Sequence, residues 1–396
     1  MLAKTIDVEV VQNTFPNNAI PPQFACPATM SIDVADALLM LGQLTSPAGF
    51  SQASPNRYWT WLRYFSAVAS TPDLRITAPF IDLDPHQKTI LSDDFGVALT
   101  TKWLYDCLGG FSEIVDGRKF LLQFPHLVKR PRRKTPKVGT GKCPDYVVRD
   151  RANRWHIIEC KGTQSGTNYR NRQLQSARFQ KNVIQISGAS QGERLAAGIY
   201  LGNERGDVNS HLKVIDPDPK PLLVLRDQEA PTANLVVDKM AVSRALALAG
   251  FDELAARLEL PTQRADEFEE FYTSEERRSF QQPREEVVGA AFKSLRDIKL
   301  THFQIEGEMY VGQRVELRIP GDDFRRNTGC TTVRVSQGVN SEWLEEALSI
   351  ESDHERTLME QSEPFLYDPS IQFRTDGLTT TLHESRLSAA KMEFLD

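Results

Sequence analysis

The sequence predicts an α/β protein built from more than one unit. Three observations carry this. Residues 92–108 repeat the apolar side chains Phe95, Leu99, Trp103 and Cys107 at the four-residue spacing that lines one helix face. Short runs rich in β-branched and aromatic residues, such as Tyr146-Val147-Val148 and Trp155 to Cys160, are separated by polar turns, as the strands of a sheet are. The composition then shifts near Asp227 into an alanine-rich and acidic helical stretch, and from Thr301 into a second β-like pattern. These changes divide the chain into an N-terminal segment at 1–85, an α/β unit at 86–226, an acidic helical region at 227–300 and an α+β region at 301–396.

A chain of 396 residues is long enough for two or three hydrophobic cores. It is 40% hydrophobic and 25% charged, the balance of a soluble globular protein. No apolar run approaches the ~20 residues of a membrane span, and Met1 to Asp7 has no signal-peptide apolar region. The cysteines, Cys26, Cys107, Cys143, Cys160 and Cys330, include no Cys-x-x-Cys pair, and the histidines form no His-x-x-x-His pair. That argues against a disulfide framework and a zinc site, and a reducing cytoplasm is the expected compartment. The net charge of -6 conceals an asymmetry. Residues 111–190 hold 17 Lys+Arg against 5 Asp+Glu, a basic block inside an acidic chain, and such a block suits a polyanion.

Taken in order, Thr5 to Val11 reads as a strand and Asn13 to Pro27 as proline-rich coil. Ser31 is placed to cap a helix through Val34 to Leu41, and Pro55 to Ala69 forms a second helix whose aromatics are expected in the core. Ser92 is the expected N-cap of the next helix, which Gly109-Gly110 ends. Lys119 to Phe124 reads as a strand. Lys129 to Lys142 has seven basic residues, two prolines, two glycines and no apolar period, so it is a loop, and a phosphate-contacting arm is the favoured reading. Asn168 to Val183 reads as a basic helix, followed by strands at Ile184 to Ile186, Ala197 to Leu201, Leu212 to Ile215 and Leu222 to Arg226. Val236 to Leu258 is helical with a break at Gly250, and Asp266 to Phe280 and the stretch after Pro283 are further helices. From Thr301 strands dominate, with a short helix capped by Asn340 or Ser341 and a hairpin turn at Asp376-Gly377.

The chemistry concentrates between Gly141 and Thr163. Tyr146 to Val148 and Trp155 to Cys160 form a hairpin around a polar turn. Alternation along a strand points Glu159 and Lys161 the same way, and the hairpin sets Asp145 beside Glu159. Two carboxylates hold a hard cation such as Mg²⁺, which keeps several waters and binds phosphate oxygens. A lysine beside them can orient water and stabilise charge developing on phosphorus. The set is therefore a candidate phosphodiester hydrolysis site.

Pro144-Asp145, fourteen residues before Glu159, followed by Glu159-Cys160-Lys161, resembles the PD-(D/E)XK nuclease superfamily over roughly residues 86–226. The resemblance implies a restriction-endonuclease-like core, a mixed central sheet flanked by helices, with the N-terminal helical segment and a C-terminal helical plus β-rich extension added to it. It implies Asp145 and Glu159 as ligands of Mg²⁺ or Mn²⁺, the Cys160 carbonyl as a third ligand, and Lys161 as the residue that positions water. Asp94 or Asp93 would supply the acid that many members carry on the first helix. Gln175, Gln180 or Lys181 would supply the polar residue on the following helix. The Gln-x-x-x-Tyr signature of the RecB-like branch is not matched.

The expected contacts to DNA are Lys129, Arg130, Arg132, Arg133, Lys134, Lys137, Lys142, Arg170, Arg172, Gln175, Arg178 and Lys181. The Cys160 and His156 side chains, on the face opposite Glu159, are expected to be structural. Trp155 either walls the site or packs, and Thr163 either bonds the turn or touches a phosphate. A DNA nuclease of restriction, antiviral defence or repair is the leading expectation. An RNase, or a nuclease-fold binding or assembly subunit without turnover, is the alternative. An ATPase, a helicase or a second copy is the expected protein partner, and the acidic 227–300 region is expected to cover the basic face or recruit that partner.

Overall fold

The computed structural model describes residues 3–45, 63–124, 143–177, 184–186, 191–216, 223–259, 301–318, 325–326, 329–349, 371–376, 379–384 and 387–395. In chain order the strands are β1 (Ala3–Val10), β2 (Thr29–Asp33), β3 (Phe111–Asp116), β4 (Tyr146–Asp150), β5 (Trp155–Thr163), β6 (Ile184–Ile186), β7 (Gln191–Tyr200), β8 (His211–Ile215) and β9 (Leu223–Leu225), then β10 (Thr301–Ile305), β11 (Glu308–Arg318), β12 (Thr332–Asn340), β13 (Ile371–Asp376), β14 (Thr379–Glu384) and β15 (Ser388–Leu395). The helices are α1 (Val34–Thr45), α2 (Ala78–Ile81), α3 (Pro85–Leu108), α4 (Gly117–Leu122), α5 (Thr167–Ala177), α6 (Ala230–Ala249), α7 (Asp252–Glu259) and α8 (Ser341–Ser349).

Thirteen strands make one mixed sheet in the order β10-β11-β12-β15-β14-β13-β3-β4-β5-β7-β8-β1-β2, and β6 and β9 pair separately in parallel. The sheet runs across the boundaries that composition suggests at 86, 227 and 301. β1 joins it beside β8, and β13 joins it through Ile371 opposite Phe111. The protein is therefore mixed α/β, with helices on a large mixed sheet. Among the described residues no helix is long and apolar enough to cross a membrane.

The strand period of two decides which helix covers which face of β5. Ile158 and Cys160 share a core with Leu91, Phe95, Leu99 and Trp103 of α3. Trp155 and Ile157, on the other face, pack with Phe120 and Leu121 of α4 and with Ala233, Val237 and Met240 of α6. On that same face, Leu174 and Ala177 of α5 cover Ala196 of β7. The backbones approach closely where α3 crosses β5. A Cβ on Gly162 would lie 1.6 Å from the Ser92 carbonyl oxygen, and one on Gly96 would lie 2.7 Å from the Gly162 nitrogen. Only hydrogen fits at this crossing.

Three sequence expectations are corrected. Residues 119–124 are not a strand. Asp116 accepts from Lys119 N at 2.7 Å and caps α4, and Phe120, Leu121 and Leu122 fill the core from a helix. Ser92 lies inside α3, its hydroxyl on the Lys88 carbonyl at 2.7 Å, because the helix begins two turns earlier at the Asp84 cap. Ser31 belongs to β2, and Asp33 accepts from Ala35 N at 2.8 Å at the start of α1. The second expected helix, Pro55 to Ala69, is also shorter than expected: of its described residues only 63–65 are helical. Gly109 takes the left-handed φ of 67° that ends α3, and Gly250 does the same for α6 at 103°. Asn340 caps α8. The expected helices at 266–280 and after Pro283 lie outside the described residues, as does 55–62 of the second expected helix.

Candidate active site

β4 and β5 pair antiparallel with Tyr146 opposite Ile158, Val147 opposite Ile157 and Val148 opposite His156. The turn between them is built by Asp150. Its Oδ1 accepts from Ala152 N and Arg154 N, each at 2.8 Å, while Asn153 takes φ 57°. That register continues to set Asp145 level with Glu159. The Cys160 N–H donates to Asp145 Oδ2 at 2.7 Å, so the backbone of β5 fixes this carboxylate. From the other side, the Gly117 N–H at the start of α4 donates to the Asp145 carbonyl at 2.9 Å.

Glu159 is fully buried, and the Lys161 ammonium is ion-paired to its Oε1. Neither Glu159 oxygen accepts a well-aligned hydrogen bond. Burial and then the neighbouring Asp145 charge push the Glu159 carboxyl up to about 8. Burial also raises Asp145 to about 6, against the pull of Lys161 and the Cys160 N–H, with Asp116 and Asp93 adding repulsion. Burial alone would lower the Lys161 ammonium, but Glu159 and Asp145 hold its proton more tightly than usual. A buried and a half-buried carboxyl side by side, sharing one ammonium, leave a deficit of positive charge, which is the environment a cation relieves.

Of the acids expected on the first helix, Asp93 is the one in electrostatic contact with Lys161 and Asp145. Asp94 instead accepts a hydrogen bond from the Tyr64 hydroxyl and lies near Arg63. Successive helical residues are ~100° apart, so adjacent acids on α3 face different neighbours. The metal-ligand expectation at Asp94 is thus not what its surroundings favour.

Sequence reasoning missed three other residues. Asp116, unrecognised because 119–124 reads as a strand, caps α4 and adds its charge to Asp145. Gln173 of α5 reaches the Gly162 carbonyl through Nε2 at 3.4 Å, and its buried Oε1 has no partner. It occupies the place expected of Gln175, which is exposed, or of Gln180 and Lys181, which lie outside the described residues. The helical phase of Leu174 and Ala177 was the available signal for it. Gly96, facing the Lys161–Gly162 peptide, gave no signal in sequence.

Arg170 is a second correction. It is 2% exposed, with Nη1 at 2.6 Å from His211 Nδ1 and at 3.1 Å from the His211 carbonyl. Its phase matches Leu174 and Ala177, so it faces the sheet and not a ligand. Arg172 and Gln175 are exposed. Lys129, Arg130, Arg132, Arg133, Lys134, Lys137, Lys142, Arg178 and Lys181 lie outside the described residues. The structural expectations for the Cys160 and His156 side chains are met, and for Trp155 and Thr163, where two readings stood open, the contacts are a packing contact and a turn bond. Cys160 is in the core, His156 bonds Asp150 at 3.2 Å and accepts Glu193 N at 3.1 Å, Trp155 packs on Phe120, and Thr163 accepts Ser165 N at 2.9 Å within the turn.

Among the described residues no group of three or more His, Cys, Asp and Glu side chains is set to hold a metal. Two carboxylates with free lone pairs nevertheless fit a hard cation that keeps much of its water. No family model, curated protein or solved structure matches the chain.

Proposed function

We propose that the protein is a divalent-metal-dependent nuclease that hydrolyses phosphodiester bonds in DNA from a restriction-endonuclease-like core. The observation that carries this reading is the fully buried Glu159 carboxylate, set beside a second carboxylate, Asp145, with Lys161 as its ion-pair partner. A purely structural ion pair would be expected to have its remaining lone pairs filled. The order around it supports the same reading: α3, the antiparallel β3-β4-β5, α5, then β7 parallel to β5.

Asp145 and Glu159 would hold Mg²⁺ or Mn²⁺, with the Cys160 carbonyl completing the protein ligands. The ion, when bound, supplies Lewis-acid polarisation of a phosphate oxygen. With Asp145 and Glu159 holding such an ion, the Lys161 ammonium would orient water and offset negative charge on the phosphoryl oxygens. Water oxygen bonds to phosphorus, one P–O ester bond breaks, and the proton given up by the water balances the one taken by the leaving oxygen. Asp93 adds negative charge at the rim and favours a cation there.

Purified protein incubated with plasmid, linear duplex, single-stranded DNA and matched RNA, in Mg²⁺ or EDTA, tests this. The expected result is Mg²⁺-dependent DNA cleavage that drops ~10²–10³-fold in Lys161→Ala, the size of effect seen when one charge-stabilising donor is removed. Absence of cleavage by the wild type, or equal cleavage by the variant, overturns it.

A further inference from the structure

We propose that Tyr169 and Arg172 of α5 form a stacking platform for an unpaired nucleobase next to the cleavage site. This rests on the nuclease reading and deepens it: the substrate has single-stranded character, as a free strand or a frayed or displaced end.

Large aromatic side chains are among the most buried parts of this protein, and Tyr169 departs from that pattern. It is 42% exposed. The Arg172 guanidinium carbon lies 5.3 Å from its ring centroid, and among the described residues the ring makes no other aromatic or cationic contact. A tyrosine with one cation and an otherwise free face is a partly assembled stack.

Its position ties it to the site. α5 starts four residues after Thr163, on the face of the sheet to which Glu159 and Lys161 belong. A Cβ on Gly198, the β7 partner of Lys161, would touch Arg170 Cγ and Leu174 at 3.1–3.2 Å, so the helix passes directly over that pair. Gln173 reaches the carbonyl of Gly162, the residue after Lys161. Tyr169 precedes Gln173 by four residues, which makes them neighbours on the helix surface about 5–6 Å apart at Cβ. The ring therefore stands one helical turn before the side chain that reaches the strand carrying Lys161.

The charge pattern selects the occupant. α5 contains no Asp or Glu, and its exposed residues are Asn168, Tyr169, Asn171, Arg172, Gln175 and Ser176. The exposed residues of this helix itself carry no carboxylate, and the nearest acid that acts on it, Glu9, is paired with Lys213. Arginine alone would serve a backbone contact, and the adjacent aromatic ring adds a surface that only a base can use. In a duplex both faces of an internal base are already stacked, so the platform favours bases that are unpaired or at an opened end.

The test is binding in EDTA, so that no strand is cut, with full-length wild type, Tyr169→Ala and Tyr169→Trp. The probes are a single-stranded oligonucleotide carrying 2-aminopurine and its blunt duplex. Wild type is expected to quench the single-stranded probe. Tyr169→Ala is expected to lose the quench and about 5–100-fold in single-strand affinity with duplex affinity unchanged, and Tyr169→Trp to retain both. Unchanged quenching and affinity in Tyr169→Ala, an equal loss on the duplex, or no single-strand binding by wild type overturns the proposal. Because the ring is exposed, an unchanged melting curve is expected to accompany the loss. Failure of the nuclease reading registers separately, as absence of cleavage in Mg²⁺, while the platform is still measured in EDTA.

Discussion

The charge deficit at Glu159 has a thermodynamic consequence that does not depend on turnover. Its carboxyl sits at about 8 in the folded chain against an ordinary 4.5. A carboxyl raised on folding leaves stability intact below pH 4.5 and removes it as pH rises through 8, because the unfolded chain gives up the proton first. At ~1.4 kcal/mol per pH unit, the 3.5-unit rise caps the penalty at ~5 kcal/mol. Glu159 and Asp145 titrate as a pair, so we take about half, ~2–3 kcal/mol, as the share that Glu159→Gln removes. The attraction of Lys161 already opposes that rise. In a chain of this size such a change is worth roughly 3–5 °C in Tm. Metal-free Glu159→Gln is therefore expected to melt near wild type at pH 5 and ~3–5 °C above it at pH 8.5, by differential scanning fluorimetry in EDTA. Mg²⁺ is expected to raise the wild-type Tm at pH 8.5 and to leave the variant unmoved. A pH-independent difference between the two proteins, or equal stabilisation of both by Mg²⁺, refutes the electrostatic argument.

Two further outcomes follow from the packing. Gly162→Ala places a methyl carbon 1.6 Å from a backbone oxygen of α3, so that helix must lift off β5. We expect a loss of about 3 kcal/mol or more, read as a fall in Tm or in soluble yield, and a Tm within 1 °C of wild type would show that the crossing is loose. Deletion of 227–396 strips Ala233, Val237 and Met240 from the core that holds Trp155 and Ile157, and removes the Arg149–Asp238 and Arg244–Glu113 ion pairs. The fragment is expected to lack a cooperative melt, and a folded, active fragment would refute this role for α6.

The last of these bears on the acidic half of the chain. By sequence it reads as a separable cover or recruiting surface. In the structure α6 and α7 dock on the core through Arg149–Asp238, Arg244–Glu113 and Lys119–Glu259, and β10–β15 extend the same sheet. Its acids Asp238 and Glu259 are thus spent on pairing basic residues of β4 and α4.

The sequence determined what local rules govern. The hairpin at 146–163 follows from β-branched runs around a polar turn, and strand alternation is enough to align Glu159 with Lys161. Gly109, Gly250 and Asn340 end or begin helices for reasons that lie within a few residues of themselves. Tertiary structure decided the rest, because the deciding contacts are distant in the chain. Lys119 to Phe124 is a short apolar run that reads as a strand, but Asp116 caps a helix and the core accepts its apolar face. Arg170 carries the charge of a DNA contact, yet its phase buries it against His211, 41 residues away. Asp93 and Asp94 are indistinguishable by sequence, and only the crossing of α3 over Gly162 turns one toward Lys161 and the other to Tyr64. The 13-stranded sheet itself depends on pairings such as Ile371 with Phe111, whose partners no local pattern specifies.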